Sequence, residues 1–103
     1  MVEHSLDAVY GAVSHPVRRR VLELLSPGPA RVTDLAAPFE ISLAAVSKHL
    51  GVLEQAGLVR RTVAGREHRL ALEAAPLAPA AQWLAAYRSF WEDRLDALEA
   101  RLP

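Results

Sequence analysis

Apolar residues recur at helical intervals from the start of the chain. Val2, Leu6, Val9 and Val13 share one stripe and Ser5 offers a capping hydroxyl, so the pattern predicts a helix over 5–13. His15-Pro16 ends it. Because proline is tolerated in a first helical turn, Pro16 opens a second helix with Val17, Val21, Leu24 and Leu25 at i, i+4, i+7 and i+8. Ser26-Pro27-Gly28-Pro29 stops that helix. A short helix over 33–37, anchored by Leu35, comes next, and Pro38-Phe39-Glu40-Ile41 reads as a tight turn whose two apolar residues face inward.

The clearest helix spans 42–56. Ser42 is a good N-cap, Val46, Leu50 and Leu53 form one apolar stripe, and Gly57 stands where a left-handed C-terminal cap belongs. The other face carries Ala44, Ala45, Ser47 and Lys48. Over 58–72 the period shortens to that of a strand, in Val59-Arg-Arg-Thr-Val63 and Glu67-His-Arg-Leu-Ala-Leu72, with Ala64-Gly65-Arg66 between them. That is a hairpin with a basic tip. After a linker over 73–79, one long helix is predicted over 80–101, with Leu84, Tyr87, Trp91, Leu95, Leu98 and Leu102 on one stripe widened by Trp83 and Phe90. The length suits a single domain over 1–103 with one core.

Composition narrows the classes. About half of the residues are hydrophobic and about a quarter charged, as in ordinary globular domains. The N-terminus shows no basic-then-apolar leader and no apolar run approaches the ~18 residues that span a bilayer, so a cytoplasmic protein without membrane contact is expected. The absence of cysteine excludes disulfides, thiolate nucleophiles and cysteine-based metal sites. A net charge of zero, taken alone, argues against a nucleic-acid partner. The distribution argues the reverse: residues 15–70 hold nine basic side chains against five acidic ones, and the two ends carry the compensating negative charge.

A short helix, a tight turn and a longer helix with a small polar outer face make a helix-turn-helix, followed here by a hairpin in the position of a wing. The fold class is therefore mainly α with a β-hairpin, a winged helix-turn-helix in the order α-α-α-α-β-β-α. Ala44, Ala45 and Ser47 are short enough for the backbone to approach base edges of double-stranded DNA, and Ser47, Lys48 and His49 supply hydrogen bonds. Arg60, Arg61, Arg66 and Arg69 on the hairpin lie within reach of phosphates or a minor groove. Taken alone, helix 42–56 reads as an amphipathic core helix with an alanine-rich exposed side; the basic hairpin directly after it shifts the balance.

Four stretches, Pro16-Val-Arg-Arg-Arg-Val-Leu-Glu-Leu-Leu25, Leu35-Ala-Ala-Pro-Phe39, Ser42-Leu-Ala-Ala-Val-Ser-Lys-His-Leu50 and Glu54-Gln-Ala-Gly-Leu-Val-Arg60, resemble the ArsR family of repressors, and Gly65-Arg66-Glu67-His68 resembles its wing. The resemblance implies operator binding as a homodimer, with residues 42–50, including Ser42 and Leu43, reading DNA and Arg66 touching the backbone or minor groove. No cofactor is expected. The family's metal sensors carry cysteines near the helix before the turn, or His and carboxylate ligands in the last helix, whereas Val32-Thr33-Asp34 and a His-free last helix stand here. The closest resemblance is to the metal-independent branch, some of whose members resemble partners of START-like domain proteins; an effector or partner protein of that kind is not legible in this chain.

Other candidates read as structural. His4, His15, His49 and His68 show no i, i+3 or i+4 pairing, and Glu92, Asp93, Asp96 and Glu99 suit the solvated face of a terminal helix. Arg18-Arg19-Arg20 either touch phosphates or solvate the second helix, and consecutive residues cannot all face one partner. No paired carboxylates, Ser/His/Asp order or phosphate-binding glycine loop points to an enzyme. The aromatic stripe of the last helix is wider than one packing surface needs, so Leu6, Val9, Trp83, Tyr87, Phe90, Trp91 and Leu95 are expected at a dimer interface. The alternatives are a metal-responsive sensor of the same family and a winged helix used for protein interaction.

Overall fold

The computed structural model describes residues 5–101; Val2, His4 and Leu102, named above, lie outside them. Helix α1 (Leu6–Val13) starts where the Ser5 hydroxyl accepts the Ala8 N–H at 3.0 Å, with Asp7 in its first turn where the helix dipole favours negative charge. It cannot continue through His15, because the residue before a proline is pushed out of the helical region. His15 is extended and its Nδ1 accepts the Val17 N–H at 3.1 Å, which caps α2 (Pro16–Leu25).

A two-residue strand β1 (Ala30–Arg31) leads into α3 (Val32–Ala36), then α4 (Leu43–Gln55), β2 (Val59–Ala64) and β3 (Glu67–Leu72). The sheet order is β1-β3-β2, antiparallel throughout, with Ala30 opposite Leu70 and Arg61 also opposite Leu70. Helix α4 ends in a Schellman turn. The Leu58 N–H reaches the Leu53 carbonyl at 3.0 Å and the Gly57 N–H reaches that of Glu54 at 3.0 Å, with Gly57 at φ 75°, where a Cβ would be strained. Leu53 and Leu58, which flank this turn, are both fully buried. The hairpin turns on Gly65 at φ 62° followed by Arg66 at negative φ, the sign pattern of a type II′ turn.

One core sits under the helix-turn-helix: Val21 and Leu25 from α2, Leu35 from α3, Val46, Leu50 and Leu53 from α4, and Val59 and Leu70 from the hairpin. A second contact joins α1 to α5 (Leu77–Ala85), where Val9 and Ala80 are buried and the Tyr10 hydroxyl donates to the Ala80 carbonyl at 2.8 Å. Pro79 fits inside α5 because it falls in the first turn, whose N–H groups have no helical acceptor.

The structure corrects four expectations. The last helix is two, α5 and α6 (Arg88–Ala100), because the ladder breaks at Ala86 and Tyr87, and the Tyr87 N–H turns to Leu84, three residues back, at 3.0 Å. No glycine or proline causes the break; α5 is held by α1, while α6 buries none of its side chains, so packing fixes one segment and not the other. The observed order is thus α-α-β-α-α-β-β-α-α, with β1 unforeseen because two residues carry no period. Of the two apolar residues expected inward in the turn, Phe39 packs against the core while Ile41 is 42% exposed. Val9 is 1% exposed within the protomer and has no surface left for a dimer partner.

Truncating Leu50 to Ala, which empties the centre of this core, is expected to cost about 2–5 kcal/mol of stability. Leu43→Ala, at an exposed site, is expected to stay within about 0.5 kcal/mol. Urea unfolding of the two variants measures both.

Candidate nucleic-acid interface

Burying Val46, Leu50 and Leu53 turns the opposite side of α4 outward. Its first turns then present Leu43, Ala44, Ser47 and Lys48, all exposed, while Ala45 is half-buried. The Ser42 hydroxyl accepts the Ala45 N–H at 3.0 Å, so Ser42 is a cap before it is anything else. Between this end of α4 and the wing lies a cleft of about 370 Å³, lined by Leu43 and Ser47 on one side, Arg61, Arg66 and His68 on the other, and Arg31 and Thr33 at the start of α3. Arg31 and Thr33 had no assigned role in the sequence. Nothing local marks them, since the pairing of β1 with β3, between segments almost forty residues apart, brings them there.

Most of the basic residues prove to be engaged within the protein. Arg18 donates from Nε to the Ala12 carbonyl at 2.6 Å and from Nη2 to that of Gly11 at 3.0 Å, and Arg19 donates to Val13 at 2.8 Å. They cap the carbonyls of Ala12 and Val13 and add to the Ser14 bonds on Gly11 at the C-terminus of α1, a role that neither reading of the arginine run gave them. Arg20 pairs with Glu23, and Arg31 with Asp34, whose carboxyl this hydrogen bond holds below the usual carboxylate range. Arg60 lies 3.4 Å from Glu73 and Arg69 2.8 Å from Glu67, both solvent-exposed pairs of the kind that contribute little and exchange readily.

Arg61 is different. Its Nη2 meets the Glu54 carboxylate at 2.7 Å, its Nε lies 3.2 Å from the same group, and its Nη1 donates to His68 Nδ1 at 3.1 Å, with both ionic side chains about two-thirds or more covered. The residue expected at DNA thus fastens the wing to the last turn of α4. Lys48 and Arg66, by contrast, have neither a hydrogen bond nor an ion pair among the described residues.

His49 also corrects the sequence reading. It points into the junction of α1, α2 and α4, where its Nδ1 accepts from Arg18 Nη1 at 2.9 Å and its ring lies 4.3 Å from that of His15. A guanidinium only donates, so the neutral ring carries its proton on Nε2. Burial, then the neighbouring His15 ring and the Arg18 cation, hold its pKa below the ordinary histidine range. Sequence spacing could not reveal the pairing with His15, which is made through space. Among the described residues no group of three or more His, Asp or Glu is placed to hold a metal ion.

At the far end, Trp83, Tyr87, Phe90, Trp91 and Leu95 are each about half exposed or more, as are Leu84 and Leu98, and Leu6 is half-buried beside them. Trp83 packs edge-on to Tyr10 and against Tyr87. No helix among the described residues is long and apolar enough to cross a membrane.

A helix-turn-helix with an outward-facing second helix, followed by a wing that carries an uncommitted arginine, is the architecture of a winged-helix DNA-binding domain. A family model described as a helix-turn-helix domain matches residues 13–62. The chain is similar to the transcriptional repressor SdpR of Bacillus subtilis (strain 168), 39% identical over 54 residues that cover 52% of this chain and 60% of SdpR. It is similar to the HTH-type transcriptional regulator Rv2034 of Mycobacterium tuberculosis (strain ATCC 25618 / H37Rv), 38% identical over 74 residues that cover 72% of this chain and 69% of Rv2034. The solved structure of the ArsR family transcriptional regulator RHA00566 superposes with a TM-score of 0.77 at 39% identity, covering 84% of this chain and 96% of that one. The chain belongs to the ArsR family of transcriptional regulators.

The partly buried His49 makes stability depend on pH. Its folded pKa is depressed, so below the ordinary value of about 6.5 the unfolded chain takes up a proton that the folded one resists. Stability is full above that value and falls as the pH drops through it. Urea midpoints at pH 7.5 and 5.5 are expected to differ less in His49→Gln, which keeps an acceptor for Arg18, than in the wild type; equal differences would contradict the assignment.

Proposed function

We propose that this protein is a homodimeric transcriptional repressor that binds a palindromic operator and does so without a metal cofactor. The observation that carries the reading is the cleft where Leu43 and Ser47 of α4 face Arg66 of the wing: small or apolar side chains for base edges, with uncommitted positive charge beside them. Leu43, Ala44, Ser47 and Lys48 face the major groove, Arg66 holds the backbone or minor groove, and the weakly paired Arg60 and Arg69 reinforce it.

A dimer is supported by the aromatic face of α5 and α6, where Trp83, Tyr87, Phe90, Trp91 and Leu95 stand about half exposed or more and α6 buries none of its side chains. Two-fold pairing of that face supplies two recognition helices for two half-sites about one helical turn apart. Repression is supported by the likeness to SdpR. Metal independence is supported by the lack of any cysteine and of a three-ligand cluster among the described residues.

Lys48 and Arg66 together offer four free cations per dimer, so log K against log salt is expected to fall with a slope of about −4 or steeper, and Arg66→Ala to flatten it by about 2. A slope near zero would contradict DNA binding. Trp91→Glu places an unpaired charge in the apolar face and is expected to give monomers by sedimentation with helical circular dichroism retained; an unchanged dimer would place the interface elsewhere.

A further inference from the structure

We propose that the protein recognises its operator through thymine, with Leu43 reading the C5-methyl group in the major groove and Ile41 and Ala44 extending the same apolar surface. The inference rests on the DNA-binding reading above and names the base chemistry it uses. Leu43 is the first residue of α4 and 55% exposed, and Ile41, two residues earlier, is 42% exposed. Neither contributes to the core, and both sit at the end of the helix that the fold turns outward.

The chemistry of base edges then decides what such a surface reads. Purines are recognised by forked side chains, Arg on guanine and Asn or Gln on adenine, whereas thymine alone offers a methyl group. The exposed N-terminal half of α4 carries no Arg, Asn or Gln. Gln55 is twelve residues further on, about 18 Å along the axis. His49 is turned inward and bonded to Arg18. Ser47 gives single hydrogen bonds to any base, and Lys48 is a point charge for a phosphate or a guanine edge. Small neighbours at Ala44 and Ser47 let the helix sit deep enough for Leu43 to touch a methyl, and Arg66 across the cleft supplies a free cation for the phosphates.

The test selects a binding duplex from a random library with the wild-type protein and then replaces thymine by uracil at each half-site position, which removes the methyl and keeps base pairing. At the position under Leu43 the wild type is expected to lose affinity by about fourfold per methyl, about fifteenfold for the symmetric pair. Leu43→Ala is expected to bind the thymine duplex more weakly and to distinguish the two duplexes by less than about twofold. A wild type that binds thymine and uracil duplexes equally, with its salt dependence intact, would overturn the thymine reading and leave DNA binding standing. Discrimination that persists in Leu43→Ala would overturn the role of Leu43. Failure to select any duplex would overturn the DNA-binding reading and this one with it.

Discussion

The interface depends on one packing event, the burial of Val46, Leu50 and Leu53 of α4 against α2 and the sheet. A helix that commits one stripe to the core has no choice about which side faces out, and here that side begins with Leu43, Ala44, Ser47 and Lys48. The Schellman turn at Gly57 then directs the chain out of α4 into β2 by a fixed route, with Leu53 and Leu58 buried at that turn. The Arg61–Glu54 contact fastens the hairpin to the same helix from outside the core. Helix and wing are therefore joined through the core, the turn and an ion pair, an arrangement suited to docking two elements on one duplex.

The charge arrangement follows from the same economy of contacts. A neutral chain with a basic middle looks suited to strong electrostatic binding, yet the arginines of that middle mostly close helix ends or pair with nearby carboxylates. Among the described residues of that middle only Lys48 and Arg66 stay uncommitted, so on the proposed reading discrimination falls to shape and apolar contact at the base edges. Arg18 shows how tightly this is tied to the fold. One guanidinium completes the C-terminus of α1 and holds the ring of His49 on α4, linking the first helix to the recognition helix.

Where a local signal has a local cause, the structure was legible in the sequence. Ser42, Gly57, Pro16 and the change of period at Val59 mark boundaries that depend only on neighbouring residues, and Leu35, Val46 and Leu50 announce the core by spacing. The candidate site was legible as a region but not residue by residue. Arg61 and His49 have the right chemistry for DNA and were drawn instead to Glu54, His68 and Arg18 by contacts that no spacing reveals. Val9 was misplaced because an apolar stripe does not say which partner covers it, and the break before α6 because it follows from packing on α1 and not from any helix-breaking residue.

On the proposed reading the N-terminal half of α4 and the tip of the wing together form the DNA-contacting surface. Amide chemical shifts of isotope-labelled protein, followed as a binding duplex is added, test it most directly. The shifts are expected to concentrate at residues 42–48 and 64–67, with the outer face of α2 around Arg19 and Arg20 unchanged. Shifts centred on α2 or α6, with α4 and the wing silent, would contradict it.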